Sequence, residues 1–319
     1  MSIIPWESQL VKIIGSTGGT SLKVYGSNEQ PVTGRLIAIY GRPGSGKTDL
    51  AASLADCKYA VPVLYLNVEG GAWVFAHRSD IQIVDITEWK DFSTILIRLY
   101  QAPELPFKTV IVDNVSELQA INVMNIVNQR GTAGINGTGM PTQANWGAST
   151  AQMLNSIRLC KNMAEKFGIN FIFNVWEDAR KDSVTNQIVK SGIGFTPALA
   201  RSFPGIVDIV GHLTVKDDPP NYTRILNFAA NPHSDAKFRR NRQEVGQQIP
   251  LTIAYRTQQP LVDVMNTLIG GEKWPSEKYK NLEGQARVDY ATNTAIAEGG
   301  QQQSVVEAIV ANKIDAGEA

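Results

Sequence analysis

Gly41-Arg42-Pro43-Gly44-Ser45-Gly46-Lys47-Thr48 fits the phosphate-binding pattern G-x-x-x-x-G-K-[ST] at every fixed position. A glycine-rich turn lets main-chain N–H groups approach phosphate oxygens without a Cβ in the way. The helix that follows adds its N-terminal N–H groups to the same concavity. At Lys47 an ammonium neutralises the β and γ phosphates, and at Thr48 a hydroxyl can ligate Mg²⁺. The expected nucleotide-binding set is therefore Gly41, Arg42, Pro43, Gly44, Ser45, Gly46, Lys47, Thr48 and Asp49, with ATP as substrate and Mg²⁺ as cofactor.

A carboxylate is required to hold the metal from a neighbouring strand. Thr109-Val110-Ile111-Val112-Asp113 supplies it: a β-branched run ending in Asp113, which pairs with Thr48 as the expected metal set. Asn114 follows directly, so the tandem Asp-Glu of many ATPases is missing. The candidate general base is Glu69, at the end of the strand Val63–Val68, because a carboxylate on that tip can polarise a water in line with the γ phosphate. Gly70 and Gly71 leave room beside it, and Glu117 is the alternative base. Asn174 and Glu177, at the end of a further apolar strand, are candidate γ-phosphate sensors, although either could instead cap a loop.

These side chains need a frame that brings several strand tips together. Arg35–Tyr40, Val63–Val68, Ile81–Asp85, Thr109–Asp113 and Asn170–Val175 read as strands. Between them lie helical patterns at 49–55, 88–101, 116–129 and 148–167. Such alternation predicts an α/β fold with a mostly parallel sheet covered by helices on both faces. Residues 209–216 and 222–229, joined by Asp217-Asp218-Pro219-Pro220-Asn221, predict antiparallel strands at its C-terminal edge. We expect an N-terminal extension over 1–34, a core over 35–270, and a C-terminal extension over 271–319 with a mildly acidic tail.

Composition narrows the class further. The chain has 319 residues, 43% hydrophobic and 19% charged, with 30 basic and 30 acidic side chains. A balanced charge means that any nucleic-acid surface must be local. Two cysteines without metal-ligand spacing, and no apolar run near the ~20 residues of a membrane helix, predict a cytoplasmic protein with no membrane partner.

With these residues placed, the chain resembles phage-encoded RecA-like P-loop ATPases (of AAA type) implicated in single-strand annealing and recombination. The resemblance runs through the phosphate loop, Leu66-Asn67-Val68-Glu69-Gly70-Gly71, Lys108 to Gln119, Phe171 to Trp176, and Phe195 to Val210. It implies a RecA-like core, hydrolysis on single-stranded DNA, the base at Glu69, and a host-cell cytoplasmic setting. It also implies homo-oligomers, as rings or filaments, in which a neighbour supplies cations. Lys237-Phe238-Arg239-Arg240-Asn241-Arg242 carries four cations in six residues, and Arg240 and Arg242 are the expected trans-acting, catalytic pair. Two loops are expected at DNA: Gly131 to Gly147, with Arg130 and Trp146, and Glu177 to Gly194, with Arg180, Lys181 and Lys190. A single-strand-binding or replication protein is a further candidate partner. The alternatives are a ring helicase or helicase loader, and an ATP-dependent switch or assembly protein that binds no DNA.

Overall fold

The strands that carry the site are apolar on both faces. Leu36–Gly41 (β1), Val63–Asn67 (β2) and Thr109–Asp113 (β4) are almost continuously buried, without the polar alternation of a one-sided strand. In the computed structural model, which describes residues 34–75, 77–131, 135–181, 188–216, 222–232, 234–239, 249–256 and 259–279, these runs form the centre of one mixed sheet. The other strands are Ile81–Asp85 (β3), Asn170–Lys181 (β5), Ile188–Ile193 (β6), Ile209–Lys216 (β7), Thr223–Asn227 (β8), Lys237–Phe238 (β9) and Thr252–Tyr255 (β10).

The sheet order is β10-β8-β7-β1-β5-β4-β2-β3. Pairings from β7 through β3 are parallel, and β8 and β10 add antiparallel, as expected of the C-terminal edge. The chain leaves β1 and reaches β2 across the positions of β5 and β4. Connections therefore diverge above β1, and a crevice opens at the carboxyl ends of the strands. Register sets what lines it: Asp113 lies opposite Asn67 on one side and Asn174 on the other, while Gly41 lies opposite Trp176.

Two hydrophobic layers sandwich the sheet. Ile37, Ile39, Tyr65, Ile111 and Ile172 face the helices Lys47–Ala52 (α1) and Pro260–Leu268 (α6). Leu36, Ala38, Val110, Val112, Phe171 and Phe173 face Trp89–Gln101 (α2), Val115–Arg130 (α3), Gln143–Phe167 (α4) and Pro197–Ile206 (α5). Trp274 and Tyr279 join the first layer, and the Tyr279 hydroxyl donates to Asp263 on α6.

Two expectations need correction. Helix α4 starts at Gln143 rather than near Ala148, because the Thr142 hydroxyl accepts the Asn145 N–H at 3.3 Å and caps it. Trp146 therefore sits on a helical turn, not in a loop. The stretch from Glu177, expected as a loop, is a ribbon instead: β5 continues to Lys181 and pairs antiparallel with β6. Most of the N-terminal extension, the 217–221 turn, Arg240, Arg242 and residues 280–319 lie outside the described residues.

Phe173 is buried against Phe171 and Phe203, with ring centroids 6.2 and 5.8 Å away. Phe173→Ala is expected to destabilise the fold by about 3–5 kcal/mol. Urea unfolding should show this as a lower midpoint at unchanged slope.

Candidate functional site

Close packing, as much as ligand access, demands glycine in the phosphate loop. A Cβ on Gly41 would stand 2.3 Å from the Leu213 carbonyl oxygen of β7. Gly44 and Gly46 have φ of 78° and 94°, in the left-handed region that favours glycine. Gly46 then opens α1. The Lys47 side chain runs back under the loop, where its ammonium donates to the Gly41 and Arg42 carbonyls at 2.9 and 3.1 Å. Burial pulls this ammonium below the usual lysine range, while Asp113, Glu69 and Glu177 draw it back up. Carboxylates on β4, on the turn after β2 and on β5 thus all favour the charge of one buried cation.

Asp113 is 3% exposed, and a single oxygen of its carboxylate accepts two hydroxyls. Thr48 Oγ1 and the Tyr65 phenol each donate to Oδ2 at 2.6 Å. Burial first, and Asp113 second, push the Tyr65 phenol above its ordinary range, so it stays a donor. The Asp113 main-chain carbonyl also accepts the Val68 and Glu69 N–H groups, at 2.7 and 3.2 Å, and so fixes the start of the Glu69 turn. Asn174, fully buried beside Asp113 in the register, makes no side-chain hydrogen bond to another described residue. A buried, unpartnered amide at that position suits a ligand that arrives with its own donors and acceptors.

Glu69 is exposed on its turn, and the Trp176 indole N–H reaches both its carboxylate oxygens. Glu177 behaves differently. Its side chain is 4% exposed, 3.6 Å from His212 and 3.9 Å from Arg42. Burial alone would raise this carboxyl, but the neighbouring His212 and Ser191, and the charge of Arg42, hold it below its ordinary range. Tyr40 stacks flat on His212 at 4.5 Å. Glu177 therefore ties the base of the β5–β6 ribbon to the phosphate loop, while Asn174 faces the Asp113 side. Glu117 is half-buried in the first turn of α3.

The other flank of the loop holds a group that sequence reasoning missed. Arg224 of β8 donates from Nε to the Ser45 carbonyl at 3.2 Å, and a Cβ on Gly46 would lie 2.6 Å from that nitrogen. Arg224, Arg256, Tyr255 and Gln259 line a cleft of about 190 Å³ with Gly46 and Asp49 at the start of α1. The buried Tyr255 hydroxyl makes no hydrogen bond to another described residue. No motif marks these positions; only the antiparallel return of β8 and β10 brings them beside the loop.

The expected DNA cations are dispersed. Arg130 donates to Asn145 at 2.6 Å, and Lys190 pairs with Asp235 at 3.0 Å. Arg180 and Lys181 lie on β5, their side chains outside the described set. In the basic run, Lys237 donates to the Pro204 and Val207 carbonyls at 2.7 and 2.8 Å, at the end of α5. Arg239 pairs with Asp208 at 3.0 Å. Two of the four cations therefore serve internal packing. Among the described residues, no group of three or more His, Cys, Asp and Glu side chains forms a metal site, and no helix is long and apolar enough to cross a membrane.

Arg224→Ala removes a charged hydrogen bond that orients the loop. It is expected to weaken nucleotide binding by about 10- to 100-fold, the scale of one such bond (about 1.5–3 kcal/mol). Titration with a fluorescent nucleotide checks this, and the melting temperature should barely move.

Residues 33–240 match a protein family described as an AAA domain, AAA_24. No curated protein sequence matches the chain. Similar solved structures include a RadB recombinase, with 16% identity, 72% of this chain and 89% of that one covered, and a TM-score of 0.41. The flagellar accessory protein FlaH from Methanocaldococcus jannaschii shares 11% identity over 71% and 86%, with a TM-score of 0.42. The KaiC-like protein PH0186 from Pyrococcus horikoshii OT3 shares 13% over 72% and 88%, with a TM-score of 0.40. Because the family match spans well over half of its length and contains the whole phosphate loop, the chain belongs to the AAA domain family of P-loop NTPases.

Proposed function

We propose that this protein is a RecA-like ATPase that hydrolyses ATP and works on single-stranded DNA in phage recombination, annealing or replication. The observation that carries the hydrolytic part is the junction of Lys47, Thr48 and Asp113 beneath the loop, with Glu69 on the adjoining strand tip. Main-chain N–H groups of the loop and α1 hold the phosphates, and Lys47 turns from the loop carbonyls to the β and γ oxygens. Thr48 and Asp113 fit a hard cation: a hydroxyl and a carboxylate oxygen at one point, with the Asn174 amide near enough in register to hold an ordered water. Bound there, Mg²⁺ would neutralise charge across the β and γ phosphates. Glu69 accepts the proton of the attacking water as its oxygen bonds to the γ phosphorus and the bond to the β–γ bridging oxygen breaks. The Arg224 cleft, on the opposite flank of the loop, suits the ribose and base.

For DNA, support comes from the β5–β6 ribbon, which carries Arg180, Lys181 and Lys190 and starts one residue beyond Trp176. Arg240 and Arg242 serve a neighbour's nucleotide in a homo-oligomer, and a single-strand-binding or replication protein would meet the same DNA. A ring helicase or loader shares this core, and unwinding of a forked duplex separates the two.

Lys47→Ala should abolish nucleotide binding or turnover. Glu69→Gln should keep binding and lower turnover by about 10²-fold or more, measured as phosphate release at saturating ATP. Wild-type turnover in Glu69→Gln would move the base to Glu117.

Affinity for single strands should fall steeply with salt, by about −0.7 in log–log slope per phosphate contact. Charge reversal at Lys181 and Lys190 should weaken it while leaving DNA-free hydrolysis intact. Salt-insensitive binding, or none with ATP present, favours the switch protein that binds no DNA.

A further inference from the structure

Glu69 stands on an exposed turn followed by Gly70 and Gly71, and Gly70 has φ of 82°. A carboxylate on such a turn has several rotamers open to it, and only some direct an oxygen toward the γ-phosphate side. The Trp176 indole narrows that choice. Its Nε1–H lies 3.3 Å from one carboxylate oxygen and 3.4 Å from the other, a shared donor that fixes the carboxylate as a whole.

The main chain that carries the indole is itself held. The Trp176 main-chain N–H donates to Ser116 Oγ at 3.1 Å, and its carbonyl accepts the Gly194 N–H at 2.7 Å. A Cβ on Gly194 would stand 2.7 Å from that carbonyl oxygen, so the chain closes tightly over the strand tip. The β1–β5 register sets Trp176 opposite Gly41, the first residue of the phosphate loop. A ring on a paired strand therefore reaches across to an exposed side chain on the turn after β2.

We infer that Trp176 is a positioning residue for hydrolysis: its indole N–H holds the Glu69 carboxylate in the orientation from which it takes the proton of the attacking water. This rests on the reading of Glu69 as the base. Trp176 touches neither phosphate nor water in this assignment, and acts only through Glu69. The hydrogen bond to Trp176 takes one lone pair from each oxygen and leaves others free for the water.

The test compares Trp176→Phe, which keeps an aromatic ring and loses the N–H, with Trp176→His, which restores a ring N–H. Steady-state kcat and KM for ATP, and the Kd for a fluorescent ATP analogue, are measured for each. Trp176→Phe should lower kcat by roughly 10- to 100-fold, the scale of a misplaced reacting group, with Kd unchanged. Trp176→His should recover several-fold of that loss. In a Glu69→Gln background, Trp176→Phe should cost nothing further, because its effect runs through the missing carboxylate. Wild-type kcat in Trp176→Phe, with Glu69→Gln inactive, overturns the inference and leaves the base in place. An equal further loss in the double variant, or a loss of nucleotide binding in Trp176→Phe, overturns it too, since either gives Trp176 another role. Wild-type turnover in Glu69→Gln alone would instead remove the base reading on which the inference stands.

Discussion

A buried ammonium is costly unless negative charge answers it, and the upper edge of this sheet is arranged around that constraint. Lys47 is 7% exposed, and its charge is met by two loop carbonyls close by and by Asp113, Glu69 and Glu177 from strands β4, β2 and β5. Each carboxylate has its own restraint. Asp113 is fixed by two hydroxyls, Glu177 by His212 and Ser191, and Glu69 by a single indole N–H. The least restrained of the three is the one whose proposed work requires a proton to move. Asp113, proposed to hold a metal, is the one locked between Thr48 and Tyr65.

That arrangement follows from sheet order. With β5 inserted between β1 and β4, the loop carrying Lys47 and the strand carrying Asp113 stand one strand apart. Asn174 and Trp176, two residues apart on β5, fall in the gap and project to the same face. A one-residue slip of β5 would turn both away and bring Phe173 and Val175 into the site. The packing of Phe171 and Phe173 beneath the opposite helices guards against that slip, because moving them would put a polar face into the core. Core register and site chemistry are thus one constraint along β5.

Much of this was legible in the chain. The loop pattern, the Val110-Ile111-Val112-Asp113 strand and the alternation of strands with helices specify local chemistry and local period, and both survive folding. Other features depend on contacts remote in sequence. Arg224 lies 179 residues from the Ser45 carbonyl that it holds, on a strand whose own pattern marks only an edge position. The stretch from Glu177 to Gly194 resembles a DNA-binding loop in its cations, yet Gly194 permits a close pairing with Trp176 that residue type alone does not reveal. The basic run after β8 divides in a way that its pattern does not show. Four cations look like a surface device, but Lys237 and Arg239 are consumed by the carbonyls that end α5 and by Asp208.

The two flanks of the loop differ in chemistry. On the β5 side, short contacts from strand tips converge on a small volume, and the groups are carboxylates, hydroxyls and one amide. Such groups suit proton movement and metal binding. On the β8–β10 side, Arg224, Arg256 and Tyr255 border a roomier cleft, and the strands there run antiparallel. Two successive reversals matter because they set the start of β8, with Arg224, and the end of β10, with Tyr255, at the carboxyl end of the sheet beside α1. One loop is therefore flanked by a carboxylate-rich side and by an arginine-lined cleft, from elements that are independent in sequence. Both flanks hold the loop by its carbonyls: Arg224 that of Ser45, and Lys47 those of Gly41 and Arg42.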